Sequence, residues 1–102
     1  MIEAAGLKLD PHDCVVYRKG TIIRLGRRES LTLEVLMLAQ GRVVTIGELL
    51  DRVWSGEGES VAKVRGVVQR LRNKLRAPNL ILTIGREGYC LAGAERSIYT
   101  PS

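Results

Sequence analysis

The sequence predicts an α+β domain, on three observations. Short β-rich runs separated by turn formers occupy the first 25 residues, three segments of helical periodicity follow, and two strand-like runs flank a glycine-bounded turn after residue 80. With 102 residues there is material for one hydrophobic core and no second domain. Apolar residues make up 45% and charged residues 26%, the balance of a globular chain rather than a disordered one. The core is expected to be aliphatic, since Phe is absent and the aromatic residues are one Trp and three Tyr.

The first run of elements is a small antiparallel sheet. Leu7 to Leu9, Cys14 to Tyr17 and Thr21 to Leu25 are separated by Asp10-Pro11 and by Arg18-Lys19-Gly20, both turn-forming. From Arg28 to Gln40 the spacing of Leu31, Val35, Leu38 and Ala39 predicts a first helix, with Gly41 as its stop. Thr45-Ile46-Gly47-Glu48 matches a capping box, in which the Thr hydroxyl and the Glu carboxylate each satisfy a backbone donor. Ile46, Leu49, Leu50, Val53 and Trp54 then mark the apolar face of a short second helix, a phase that favours packing for Trp54 over exposure. Ser60 is a good N-cap for a third helix, which runs from about Ser60 to Arg76 until Pro78 stops it. Leu80 to Ile84 and Tyr89 to Ala92 around Gly85-Arg86-Glu87-Gly88 read as a hairpin. The tail, residues 94–102, is expected to fray.

The third helix concentrates the charge. The chain carries a formal +5, and Lys63, Arg65, Arg70, Arg72, Lys74 and Arg76 contribute six positive charges with no acid among them, so the remainder is close to neutral. One basic helix on a neutral body suits a polyanionic partner. Val61, Val64, Val68, Leu71 and Leu75 recur at spacings of three and four and should pack on the core. Ala62, Gly66, Gln69, Arg70 and Asn73 lie opposite, flanked by Lys63 and Lys74 on one side and Arg65, Arg72 and Arg76 on the other. Flanking cations can reach phosphates while the small and amide side chains approach base edges. Gly66 removes bulk where the helix would come closest to a duplex. The alternative is a solvated basic surface helix with a tolerated glycine.

In order and spacing these segments resemble the DNA-binding effector domain of the OmpR/PhoB family of bacterial response regulators. The resemblance covers about Leu7 to Ala92. It rests on Leu25 to Leu38, on Gly41-Arg42-Val43-Val44 with Glu48-Leu49-Leu50 and Val53-Trp54, on Arg70-Leu71-Arg72-Asn73-Lys74-Leu75 and on Gly88-Tyr89. It implies a winged helix-turn-helix fold: an N-terminal antiparallel sheet, three helices and a C-terminal β-hairpin wing. The third helix would enter the major groove and the wing the adjacent minor groove. By position Arg70 would contact a base or a phosphate, and Arg65, Gln69 and Arg72 would face DNA. Ser55, Gly56, Glu57, Gly58 and Glu59 would match the segment that touches RNA polymerase, and repeated half-sites for a second copy in tandem are implied.

The sequence also departs from the family pattern. Gly26 stands for the usual Thr and Ser30 for an aromatic, and Arg65-Gly66-Val67 replaces an Asp-Val-His pattern, so the DNA sequence read does not carry over. Gly85-Arg86 reverses the usual order in the wing, which leaves Arg86 either reaching a minor groove or solvated. No part of the chain could be a phosphorylated receiver domain, so the expectation is an excised or a stand-alone effector.

Other chemistry is poorly supported. His12, Cys14 and Cys90 lack metal-ligand spacing, and the two cysteines are expected to be reduced thiols. Asp10 and Asp13 resemble a loop more than a carboxylate pair, and no Ser or Cys has an evident base, so neither an enzyme nor a cofactor is expected. Tyr17, Tyr89 and Tyr99 are too scattered for a single-strand stacking platform. No apolar run approaches the roughly 20 residues of a membrane span, and Met1 to Leu9 lacks the basic region followed by a long apolar stretch that a secretion signal would show, so none is expected. The expectation is therefore a cytoplasmic, nucleoid-associated, sequence-specific regulator of double-stranded DNA. Its rival is a winged-helix interaction module with an acidic protein partner.

Overall fold

The computed structural model of the chain describes residues 1–55 and 60–93. Residues 56–59, most of the expected polymerase-contacting segment, and the tail from 94 lie outside the described residues. Strands β1 (Ile2–Ala4), β2 (Leu7–Asp10), β3 (Val15–Arg18) and β4 (Thr21–Arg24) pair consecutively and antiparallel. Leu7 and Leu9 point into the core while Lys8 is exposed, the alternation of a sheet with one covered face. Ala5-Gly6 and Lys19-Gly20 both sit at positive φ, the conformation that two-residue hairpin turns need to match strand twist. Strand β1 has no counterpart in the sequence reading, because three residues are too few to carry a periodic signal.

Helix α1 (Arg27–Leu38) lies at the centre, against α2 (Ile46–Trp54), α3 (Val61–Leu75) and strands of both sheets. Its buried face differs from the expected one. Leu33, Leu36 and Met37 are buried together with Glu29, Ser30 and Thr32, whereas Leu38 is 57% exposed and Leu31, Val35 and Ala39 pack only partly. Apolar residues occur on more than one side of this helix, and three of its buried positions are polar, so the apolar pattern alone selects the wrong phase. The helix ends at Leu38, two residues before the expected Gln40, with Ala39 as its C-cap; Gln40 and the expected stop Gly41 follow at positive φ.

The expected capping box of α2 is half formed. Thr45 Oγ1 accepts from the Glu48 backbone N–H at 3.0 Å, but the Glu48 carboxylate pairs with Arg42 and Arg52 at 3.5 and 3.6 Å. Ile46 and Leu50 are partly buried, and Leu49, Val53 and Trp54 are buried as the periodicity requires. Helix α3 keeps its expected span, but Ser60 makes no side-chain cap bond. Its C-terminus is closed by Arg76 in a left-handed conformation and by the Arg18 guanidinium, which donates to the Leu75 carbonyl at 3.2 Å.

The hairpin β6 (Ile81–Ile84) and β7 (Gly88–Leu91) gains a third strand, β5 (Val44–Thr45), so that β7 is central in the order β5-β7-β6. Gly88 makes that junction: a Cβ there would lie 1.9 Å from the Val44 carbonyl oxygen. No helix among the described residues is long and apolar enough to cross a membrane.

Candidate nucleic-acid interface

The buried stripe of α3 is Val64, Val67, Val68, Leu71 and Leu75. Val61, expected in that stripe, is 42% exposed, and Val67, 2% exposed, is buried in addition. Val61 is the first residue of the helix, at its outer end, while Val67 falls between Val64 and Val68 on the core side.

The outward residues divide into two neighbouring rows. Arg65, Gln69 and Asn73 follow one another at i,i+4, with Arg76 at the helix end, and all four are exposed. Gln69 Nε2 donates to Asn73 Oδ1 at 3.2 Å, so two guanidinium groups bracket a pair of linked amides. Ala62, Gly66, Arg70 and Lys74 form the second row.

In that second row the cations are anchored from below. Glu29, buried at the start of α1, accepts from Arg70 Nε at 3.1 Å and from Lys74 Nζ at 2.7 Å. Its Oε1 also accepts the Gly26 backbone N–H at 2.8 Å, the half of a capping box that does not need a side chain on Gly26. Burial pushes the Glu29 carboxyl upward, but the hydrogen bonds from Lys74, Gly26 and Arg70 and the Lys74 charge outweigh it and hold it below its ordinary value. Lys74 Nζ donates further to the Arg24 carbonyl at 3.4 Å, linking the helix to the first sheet.

Arg72 is turned onto the hairpin rather than outward. Its Nε donates to the Ile81 carbonyl at 3.0 Å, its Nη2 donates to Thr83 Oγ1 at 2.9 Å, and its guanidinium lies 5.9 Å from the Tyr89 ring centroid. Arg86 is exposed in the turn between β6 and β7. Lys63 is exposed near the N-terminus of α3, beside Gly66 and Arg70. Sequence reasoning did not single out Glu29 or Arg28. Glu29 carried a signal, as an acid three residues after Gly26 at a helix start, whereas Arg28 carried none.

Cys14 is half-buried and Cys90 buried, with no disulfide between them, and the described residues contain no group of three or more His, Cys, Asp or Glu able to hold a metal.

A four-stranded sheet, three helices with the third presenting a basic and amide-rich face, and a hairpin packed beside that helix define a winged helix-turn-helix domain. The DNA-binding domain of CadC from E. coli shares this fold, with a TM-score of 0.79 at 23% identity over 88% of this chain and 89% of that one. The family described as "Transcriptional regulatory protein, C terminal" matches residues 20–91, and the chain belongs to that family, the OmpR/PhoB-type effector domains.

Among its relatives, the transcriptional regulatory protein CutR of Streptomyces coelicolor is 39% identical over 90 residues, covering 87% of this chain and 42% of CutR. The sensory transduction protein RegX3 of Mycobacterium tuberculosis is 37% identical over 98 residues, covering 91% of this chain and 43% of RegX3. The chain thus spans less than half the length of these relatives. The DNA-binding domain of Klebsiella pneumoniae RstA, solved in complex with the RstA box, is 26% identical with a TM-score of 0.76, over 90% of this chain and 96% of that one.

Proposed function

We propose that this domain binds double-stranded DNA sequence-specifically as the effector part of a bacterial two-component transcriptional regulator. In this reading α3 lies in the major groove and the β6–β7 wing reaches the adjacent minor groove. The observation that carries the reading is the exposed row Arg65, Gln69, Asn73 and Arg76, in which cations bracket two amides. Amides can pair bidentately with adenine, and guanidinium groups at either end reach the phosphates on both sides of a groove. Arg70 and Lys74, held by Glu29, extend the cationic border, and Gly66 keeps the middle of the helix low. Arg72 serves by fixing the wing to the helix, and Arg86 is the wing's minor-groove cation. The RstA and CadC likenesses support the reading, as does the regulatory role in the names of CutR and RegX3.

Two further parts of the reading rest on family membership. A second copy binds in tandem on a direct repeat, and the segment 55–59 contacts RNA polymerase. Such a regulator works at the nucleoid in the bacterial cytoplasm.

Selection of binding sites from a random duplex pool, followed by salt titration on selected and scrambled sites, tests the reading. A recurrent motif bound at least about a thousandfold more tightly than scrambled DNA is expected. Motif copies spaced by roughly 10 to 10.5 base pairs would support the tandem arrangement. Weak binding that is equal on all sequences would favour the acidic-partner module instead.

A further inference from the structure

We infer that a backbone phosphate of the bound duplex seats in a cleft between the start of α1 and the first half of α3, with Arg28 as a DNA-contacting residue. The inference rests on the proposed DNA binding and adds a contact from outside the helix-turn-helix pair. The cleft encloses about 340 Å3 and is lined by Arg28, Lys63 and Arg70 around Gly66, with the buried Trp54 and Val67 as its floor. Three cations therefore converge on one small space, and no Asp or Glu lines it among the described residues. The nearby acid, Glu29, is shared between Arg70, Lys74 and the Gly26 N–H, so it secures one wall, and a single carboxylate there faces two cations.

Arg28 is held differently from the other basic residues. Its guanidinium carbon lies 5.4 Å from the Trp54 ring centroid, and it makes no hydrogen bond or ion pair among the described residues. A guanidinium fixed by an aromatic face keeps its N–H edge and its full charge for an anion, in the planar fork that suits a phosphate. Gly66 keeps the space open, since a Cβ there would point into it, 3.5 Å from Arg70 Nη1. A phosphodiester is preferred over a small phosphorylated metabolite because the cleft is open along the flank of α3, beside the Arg65, Gln69 and Asn73 row. A strand following that row passes the cleft.

The test compares parent, Arg28→Ala, Arg28→Lys and Gly66→Ala on the selected duplex and on duplexes carrying one neutral methylphosphonate linkage at each position in turn. Arg28→Ala should weaken binding roughly tenfold on every sequence and make the log affinity against log salt slope shallower by about 0.9, with base preference unchanged. Arg28→Lys should recover most of the slope. Gly66→Ala should melt no lower than the parent, because alanine favours the helix, yet bind DNA more weakly. One neutral linkage should weaken the parent clearly more than it weakens Arg28→Ala, in which Lys63 and Arg70 still line the cleft. Inorganic phosphate at millimolar concentration should not compete; competition would assign the cleft to a free phosphate instead. If the parent binds its site and Arg28→Ala matches it in affinity and slope, or loses as much as the parent at every neutral linkage, the cleft is overturned and the domain's DNA binding stands. If the parent prefers no duplex sequence, the underlying reading fails first.

Discussion

The Glu29 carboxylate and the Arg70 guanidinium meet at 3.1 Å, joining the first turn of α1 to the outer surface of α3 across 41 positions of sequence. The acid is 7% exposed at its side chain and the arginine 57%, so a buried anchor steers a cation whose other face is open to solvent. Because the folded Glu29 carboxyl is held below its ordinary value of 4.5, it stabilises the fold above about that pH, and the contribution is lost as pH falls through the lower folded value. Glu29→Gln should therefore destabilise the domain at neutral pH by about 1 to 2 kcal/mol, a figure discounted for the half-exposed partners. It should also flatten the decline in melting temperature below pH 4.5. An acid limb as steep as the parent's would mean that other carboxylates control it.

Arg72 is expected to act on the wing's stability before it acts on DNA. Arg72→Ala removes the donors to Ile81 and Thr83 and the stacking on Tyr89, at a cost of about 1 to 3 kcal/mol. Amide exchange in β6 should accelerate more than in α1. A variant with parental melting and exchange but lost DNA binding would show that Arg72 faces the duplex.

Base reading should separate from phosphate binding along α3. Gln69→Ala is expected to cost about 1 to 3 kcal/mol on the selected site and to relax preference at one position. Arg65→Ala and Arg70→Ala should weaken all sequences alike and each reduce the salt slope by about 1. Relaxed base preference in Arg70→Ala with unchanged preference in Gln69→Ala would exchange their roles.

At the wing, Arg86→Ala should weaken binding most on sites with A·T-rich flanks, where the minor groove is narrow and its potential most negative. Affinities measured on A·T-rich and G·C-rich flanks decide this. Equal loss on both, or none, would leave Arg86 as a solvated turn residue.

The phase of α3 predicts an asymmetry between two valines. Val67→Ala should lower stability by about 2 kcal/mol through lost burial and a residual cavity, while Val61→Ala should stay within about 0.5 kcal/mol of the parent. Urea denaturation of the two variants measures the difference, and equal effects would contradict the observed burial.

Where one strong local rule governed, the fold was legible. Leu49, Val53 and Trp54 on α2 and Val64, Val68, Leu71 and Leu75 on α3 follow a single apolar period, and all are buried. The face of α1 was not legible, because Glu29, Ser30 and Thr32 occupy buried positions that a binary pattern reads as solvent. Strand β5 escaped for a different reason: two residues become a strand only by pairing with β7, more than 40 positions away. In the candidate site, the basic and amide residues of α3 could be named from periodicity and charge. Their division was hidden, since the contacts of Arg70, Lys74 and Arg72 depend on Glu29, Arg24, Ile81 and Thr83, which no local rule connects to them.

The contact of Gly88 with the Val44 carbonyl has a mechanical consequence. Sliding β7 by one residue along β5 would bring the Cβ of Glu87 or Tyr89 to the place where only a hydrogen fits. The glycine therefore acts as a registration pin: the hairpin can seat in one position against the start of α2, and the tip at Arg86 is set at a fixed offset from α3. A groove-spanning grip needs that offset, because two contacts on one duplex are useful only if the distance between them is already correct when the protein arrives.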